Sequence, residues 1–351
     1  MRVGSADDPR VLKAAPRALL AAPPGNTLVI APQWIGDAVM TEPLLRRLAA
    51  RGEKMTVAAI PAVAPVYHAM PQVSEVIELP FSRGTIELRA RHRLARELAG
   101  RFQTAYVLPN SLKSALLPFL ASIPRRIGYL GEVRVGLLTH RLKNPSRRPP
   151  MVAYYSALSG DGNVENDCPA LHVDDAALAA TLERHGVSER GYTVFAPGAE
   201  YGPAKRWPAP HFATVARELA EPVLLLGSPR DADVASRIAA LAPHTVRDLT
   251  GQTTLTEAIH LIAGARRMLS NDSGLMHIAA AFGIEQIAVF GSSSPLHTPP
   301  MNPRATVLWL KNDLTYEPPL DCAPCFERDC PLGHTRCLVD LSPGRVLGAW
   351  G

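Results

Sequence analysis

Three groups of residues in this chain could do chemistry: the run Ser270-Asn271-Asp272-Ser273-Gly274 with His277, the pair Lys205 and Arg206, and Asp37 behind Gly36. The first sits between two contrasting patterns. Arg267–Leu269 is a short apolar strand, and Leu275, Met276, Ile278, Ala279 and Phe282 then form a helical apolar face that Gly283 closes. Small polar residues between a strand and a helix are turn and capping residues. The unpaired N–H groups of such a helix end attract anions, above all phosphates. His277 falls on the first turn, within reach of the same anion. An ordinary capped helix would carry the same signature, so the second group matters. Phe195 to Pro208 is another strand running into a Gly/Pro loop that carries Lys205 and Arg206 ahead of a helix. One loop offers a helix end and the other a cation, which together suit a diphosphate.

These groups need elements to position them. Thr27–Ala31 predicts a strand that ends in a loop holding Gly36 and Asp37, with a helix over Thr41–Arg51. Further strands are expected over Met55–Ile60, Glu75–Leu79, Ala105–Pro109 and Arg125–Tyr129. Helices are expected over Pro61–Met70, over Ile86–Gly100 and from Asn110-Ser111 onward. His140–Pro150, rich in Arg and Pro, reads as an exposed loop. Residues 151–190 show helix and no strand, which places a domain junction there. The pattern then restarts with strands at Tyr192–Ala196, Pro222–Gly227 and Arg247–Leu249. Gly251 to Glu257 caps a helix over 255–264, strands follow at Ile287–Gly291 and Thr306–Leu310, and a helix over Ser342–Trp350 closes the chain. Alternation of this kind implies parallel sheets in an α/β protein. Gly227-Ser228 ends a strand at the second domain's crevice, where a ribose could lie. The chain has neither a Gly-x-Gly-x-x-Gly nor a Walker A sequence.

The chain's 351 residues suit two domains, and 47% hydrophobic with 20% charged residues is ordinary for a globular protein. No apolar run approaches the ~18–20 residues that span a bilayer. Residues 1–26 read as a loose extension with at most a weak signal-peptide character. The net charge of +5 is uneven: fourteen Lys/Arg against three Glu between Arg83 and Arg148 give +11 there and −6 elsewhere. A basic half suggests an anionic partner such as a phosphorylated acceptor, a membrane face or nucleic acid. Arg89, Arg91, Arg93 and Arg96 of the amphipathic helix are the natural contacts. No aromatic stacking motif accompanies the basic run, which disfavours nucleic acid.

Cys322, Cys325, Cys330 and Cys337, with His334 among them, are spaced like a metal site but without paired Cys-x2-Cys knuckles. Structural metal, a disulfide and reduced thiols all remain compatible with that spacing.

The strings APQWIGDAVMTEPLLRRL, PGAEYGPAKRWP, NDSGLMHIAAAFG and DCAPCFERDCPLGHTRCL, in this order along the chain, together resemble the ADP-heptose:lipopolysaccharide heptosyltransferases of glycosyltransferase family 9, above all the second type, over roughly residues 27–350. The resemblance implies a GT-B fold, two Rossmann-like doubly wound parallel-sheet domains facing a cleft. Residues 27–175 would bind the acceptor and 190–335 the ADP-sugar, with 336–351 packing back on the first domain. It implies inverting transfer of L-glycero-D-manno-heptose from ADP-heptose to a lipid-linked heptosyl-Kdo acceptor, by a monomer working in the cytoplasm at the anionic inner-membrane face. Asp37 would be the general base, its charged form favoured by a helix N-terminus. Lys205 and Arg206 would hold the donor diphosphate, Asp272, Ser273, Gly274 and His277 the diphosphate and sugar, and Gly227 and Ser228 the adenosine side. Gly36, Asn110 and Lys113 would lie on the acceptor side. The family's chemistry requires no metal. Alternatives are a first- or third-type heptosyltransferase with another acceptor, or a GT-B sugar-nucleotide epimerase.

Overall fold

Apolar strand runs separated by amphipathic helices dictate parallel sheets covered on both faces. The computed structural model, which describes residues 25–81, 85–146, 148–161 and 167–350, contains two. The expected N-terminal extension lies almost wholly outside the described residues. Contacts divide the chain into two compact units, Met1–His172 and Val173–Gly351.

The first unit runs β1 (Asn26–Ile30), α1 (Ile35–Met40), α2 (Glu42–Ala49), β2 (Lys54–Ala59), α3 (Ala64–His68) and β3 (Val73–Glu78). It continues with α4 (Leu88–Leu98), β4 (Thr104–Val107), α5 (Leu112–Leu120), β5 (Arg125–Tyr129), β6 (His140–Leu142) and α6 (Met151–Ser156). Its sheet is ordered β3-β2-β1-β4-β5-β6, all parallel. The stretch 140–150, expected as an exposed loop, therefore supplies an edge strand. β6 carries the polar residues His140 and Arg141, tolerable because an edge strand is paired on one side only.

The second unit runs α7 (Asp175–Arg184), β7 (Thr193–Ala196), α8 (Ala209–Glu218), β8 (Val223–Leu225), α9 (Ala232–Leu241), β9 (Val246–Asp248) and α10 (Leu255–Ala263). Then come β10 (Arg267–Asn271), α11 (Gly274–Ala281), β11 (Glu285–Val289), β12 (Ala305–Leu308), α12 (Arg336–Val339) and α13 (Pro343–Ala349). Its sheet order, β9-β8-β7-β10-β11-β12, repeats the strand logic of the first. α10 has the expected start: Thr254 Oγ1 accepts from the Glu257 N–H at 3.2 Å, and Glu257 Oε2 accepts from the Thr254 N–H at 2.8 Å. The final helix, expected on the first domain, belongs to the second unit. There α13 packs against α8, and Val346 is buried in the cluster of Phe195, Trp207 and Phe212.

In each sheet the order in which strands are added reverses once, between β1 and β4 and between β7 and β10. The loops leaving the carboxyl ends of such a strand pair diverge and open a crevice, where ligands of doubly wound sheets bind. Asp37 follows β1 and Asn110 follows β4; Lys205 follows β7 and Asp272 follows β10. All four candidate residues thus leave a switch point.

Candidate active site

In the second unit the loop after β7 is fastened before it delivers its cation. Asn271, fully buried at the end of β10, donates from Nδ2 to the Pro197 carbonyl at 2.6 Å and accepts the Trp207 N–H on Oδ1 at 3.0 Å. Trp207, also fully buried, donates its indole N–H to the Leu341 carbonyl at 2.8 Å. The Ala204 N–H reaches the Arg328 carbonyl at 3.0 Å, and the Tyr201 hydroxyl reaches the Phe326 carbonyl at 2.8 Å. Gly202 allows this approach, since a Cβ there would stand 2.5 Å from the Arg328 oxygen. The loop closes in a single turn over Pro203–Lys205.

Lys205 Nζ then lies 2.5 Å from Asp272 Oδ2, with the lysine 19% and the carboxylate 6% exposed. The two sequence-predicted strand-end residues are thus one ion pair. It stands beside the first turn of α11, where Ser273 occupies the N-cap position without making a side-chain cap bond. The Ser270, Ser273, Ser292 and Ser293 hydroxyls are buried with no hydrogen-bond partner in the protein. A cation, a helix N-terminus and unspent hydroxyls form a set that an anionic, hydroxyl-rich ligand can satisfy.

His277 sits behind this pair and is 5% exposed. Burial, reinforced by the charge of Lys205 and opposed by that of Asp272, lowers its pKa to about 4. It is therefore a neutral imidazole at physiological pH and can meet an anion only as a hydrogen-bond donor, not as a counter-charge. The sign of the pH effect follows. With the folded pKa below the unfolded value near 6.5, the unfolded chain binds the extra proton, so stability is full above pH ~6.5 and is lost as pH falls towards 4. The full span corresponds to a loss on the order of 3 kcal/mol. Melting curves of wild type and His277→Gln across pH 7 to 4 should converge as pH falls; parallel curves would show that the imidazole is not buried in its neutral form.

Ser228, Asp231 and Arg206 form a second group. Asp231 Oδ2 accepts from the Ser228 N–H at 3.0 Å and from its hydroxyl at 2.8 Å, and Arg206 Nη2 lies 3.5 Å from Asp231 Oδ1. Gly198 passes so close that a Cβ would meet the Asp231 carboxyl at 2.3 Å. Arg206 is thus turned towards Asp231 and Lys205 towards Asp272. Asp231 closes a capping box with Ser228 just beyond Gly227.

In the first unit Gly36 and Asp37 lie inside α1, not in a loop before the helix. Trp34 holds the N-cap position, and Asp37 is the third residue of the helix. The Tyr155 hydroxyl, from α6, donates to Asp37 Oδ1 at 3.0 Å. Burial and the neighbouring carboxylate push the Tyr155 pKa well above its usual value, so it stays a donor. Asn110 donates to the Tyr154 hydroxyl at 2.7 Å and accepts from Arg134 Nη2 at 3.1 Å. Lys113 lies half-buried on the first turn of α5. Among the basic residues of α4, Arg89, Arg93 and Arg96 are exposed. Arg91 is not available to a ligand: it is buried over the Phe81 ring at 4.1 Å and donates to the Ile86 carbonyl at 2.5 Å.

Cys322, Cys325, Cys330 and Cys337 converge with His334 around one small cavity that Ala204 and Ser292 also line. Burial and the three neighbouring thiols push the Cys337 pKa up to about 11. Among the described residues no three His, Cys, Asp or Glu side chains are placed to hold a metal ion.

Asn271 is legible in the sequence as part of a polar strand-end run, but its role in fastening the loop after β7 is not, and Asp231 shows only as an acidic residue beyond Gly227-Ser228. The sequence does not single out Tyr155 or Arg134 at all. Tyr155 and Arg134 carry no local signal, because their partners are distant in the sequence.

Two doubly wound parallel sheets of this order in one chain are the architecture of GT-B proteins. The glycosyltransferase family 9 (heptosyltransferase) model matches residues 91–335, and the chain belongs to that family. It is 38% identical to lipopolysaccharide heptosyltransferase 2 of Escherichia coli K12, over 91% of this chain and 96% of that one. It is 39% identical to lipooligosaccharide heptosyltransferase 2 of Haemophilus influenzae, over 92% and 97%. The solved structure of Escherichia coli ADP-heptose lipopolysaccharide heptosyltransferase II superposes with a TM-score of 0.79 at 36% identity, covering 93% of this chain and 97% of that one. The GT-B architecture and the glycosyltransferase class expected from the motifs both hold.

Proposed function

We propose that the protein transfers heptose from ADP-heptose to the first heptose of a heptosyl-Kdo lipid acceptor, with inversion at the anomeric carbon. The observation that carries the reading is the Lys205–Asp272 pair at the second unit's switch point, beside the α11 N-terminus. The diphosphate takes Lys205 as its counter-charge, together with the α11 amide N–H groups and the unpaired serine hydroxyls. Asp272, released from sole charge of the lysine, faces sugar hydroxyls and the positive charge that develops at the anomeric carbon. Asp37, steadied by Tyr155, accepts the proton of the attacking acceptor hydroxyl as the new C–O bond forms. The bond to the ADP oxygen breaks, and Lys205 stabilises the charge left on the diphosphate. Arg206 with Asp231, Ser228 and Gly227 borders the adenosine side, and Gly36, Asn110 and Lys113 border the acceptor.

The relatives' names point to a second-type acceptor. The acceptor is drawn from an anionic membrane face, towards which Arg89, Arg93 and Arg96 contribute charge; no described helix is long and apolar enough to cross a membrane. Product analysis decides the reading. With ADP-heptose, in EDTA, acceptors carrying zero, one and two heptoses are compared. One added heptose, on the one-heptose acceptor alone, is expected, because Lys205 and a helix end supply the charge stabilisation that a divalent cation gives elsewhere. Transfer to another acceptor would reassign the type, and dependence on added magnesium or manganese would displace Lys205 from its role.

A further inference from the structure

The loop between β5 and β6 is built inside out. Arg134 is fully buried, and its guanidinium donates to the Pro109 carbonyl at 2.6 Å, the Asn110 side-chain oxygen at 3.1 Å and the Tyr129 carbonyl. Its apolar neighbours point the other way: Val133 is 84% and Val135 55% exposed. Val133 has φ of 24°, a conformation that a β-branched residue rarely adopts. A loop formed for solubility alone would bury its valines and expose its arginine. Single exposed apolar residues are common and need no explanation, but here the interior arginine, bonded mainly to neutral oxygens, fixes them outward.

The surroundings state what faces these valines. Leu130 and Leu112 are exposed beside them, the latter tied to the loop through its N–H to Glu132 Oε2 at 3.0 Å. Arg141 and Lys143 are exposed on the edge strand and just beyond it, and Arg141 Nη1 donates to the Val135 carbonyl at 3.0 Å. The loop leaves the same carboxyl edge of the sheet as the segment bearing Asp37. β5 lies two strands from β1, roughly 10 Å at the usual inter-strand spacing. A continuous path joins them: Tyr155 bonds Asp37, Tyr154 lies edge-on to Tyr155, Tyr129 stacks on Tyr154 at 4.0 Å, and Asn110 bridges Tyr154 to Arg134.

We propose that loop 130–137 is the membrane-seating element of the first unit. Val133 and Val135 enter the headgroup region of an anionic bilayer while Arg141 and Lys143 pair with lipid phosphates. Apolar side chains flanked by cations are the chemistry of interfacial binding. The rigid path to Asp37 then sets the depth at which an acceptor's sugars meet the carboxylate. This rests on the reading that the acceptor is lipid-linked, and it assigns the main contact to one loop, with the basic helix α4 adding only longer-range charge.

The test uses the full chain and phosphatidylcholine vesicles with and without phosphatidylglycerol. Wild type should float with the anionic vesicles, less with phosphatidylcholine alone and less in high salt. Val133→Asp/Val135→Asp should weaken flotation about ten-fold or more at an unchanged melting temperature. Transfer to an acyl-free heptosyl-Kdo saccharide should be kept by this variant. Arg89→Gln/Arg93→Gln should weaken flotation less. Equal flotation of the valine variant and wild type, or no wild-type flotation at all, overturns the proposal. A lower melting temperature in the valine variant would assign the valines to the fold and overturn it too. Absence of wild-type transfer to the saccharide overturns the functional reading instead, so the two failures are distinguishable.

Discussion

Asp37→Asn should fold, bind ADP-heptose and lose transfer by ~10²–10⁴, the usual cost of removing a general base. The amide keeps the size of the carboxylate and can still accept the Tyr155 hydroxyl, 3.0 Å away in the wild type. What it cannot do is take a proton from the acceptor. A capping role predicts otherwise, since Asn caps helices about as well as Asp. That role is already weakened by geometry, because Trp34 and not Asp37 occupies the N-cap position of α1. Turnover and melting temperature measured side by side decide the matter. Turnover within a few-fold of wild type would remove Asp37 from the mechanism.

Lys205→Ala should lower turnover by a factor equivalent to about 2–4 kcal/mol, the worth of one electrostatic contact made to developing charge. A lone cation on a solvent-facing loop would contribute little to stability. The ion pair changes that expectation, because the substitution leaves Asp272, 6% exposed, without its partner at 2.5 Å. Breaking a buried pair from one side costs several kcal/mol. The melting temperature should therefore fall as well. Adding Asp272→Asn to Lys205→Ala should restore much of the stability and none of the turnover. Recovery of both together would mean that Lys205 serves only to neutralise Asp272.

Much of the architecture was legible because it is written in local patterns. Apolar runs of strand length alternating with amphipathic helices specified parallel sheets, and the restart near residue 192 specified a second one. Thr254 and Glu257 announced the start of α10 by the capping-box spacing alone. Edges were harder: β6 is short and polar, and only pairing with β5 makes it a strand. Gly36 and Asp37 read as a loop because glycine is a poor helix former, yet tertiary packing of α1 overrode that propensity.

The site divides in the same way. Residue types and spacing determined that Lys205 and Asp272 leave strand ends ahead of helices, and that Asp37 follows the first strand. Those facts depend on the order of elements along the chain. The fold decided which of them meet. Lys205 pairs with Asp272 and Arg206 with Asp231, two neighbouring cations sent to different carboxylates 67 and 25 residues away. The neutrality of His277 belongs to the fold for the same reason, since desolvation depends on everything packed around a side chain and leaves no trace in its neighbours along the chain. So does the inversion at Arg134, which the sequence presents as one more charge in a basic segment. Local propensity and periodicity are summed over a few adjacent residues, whereas burial and long-range pairing exist only once strands far apart in the chain lie side by side.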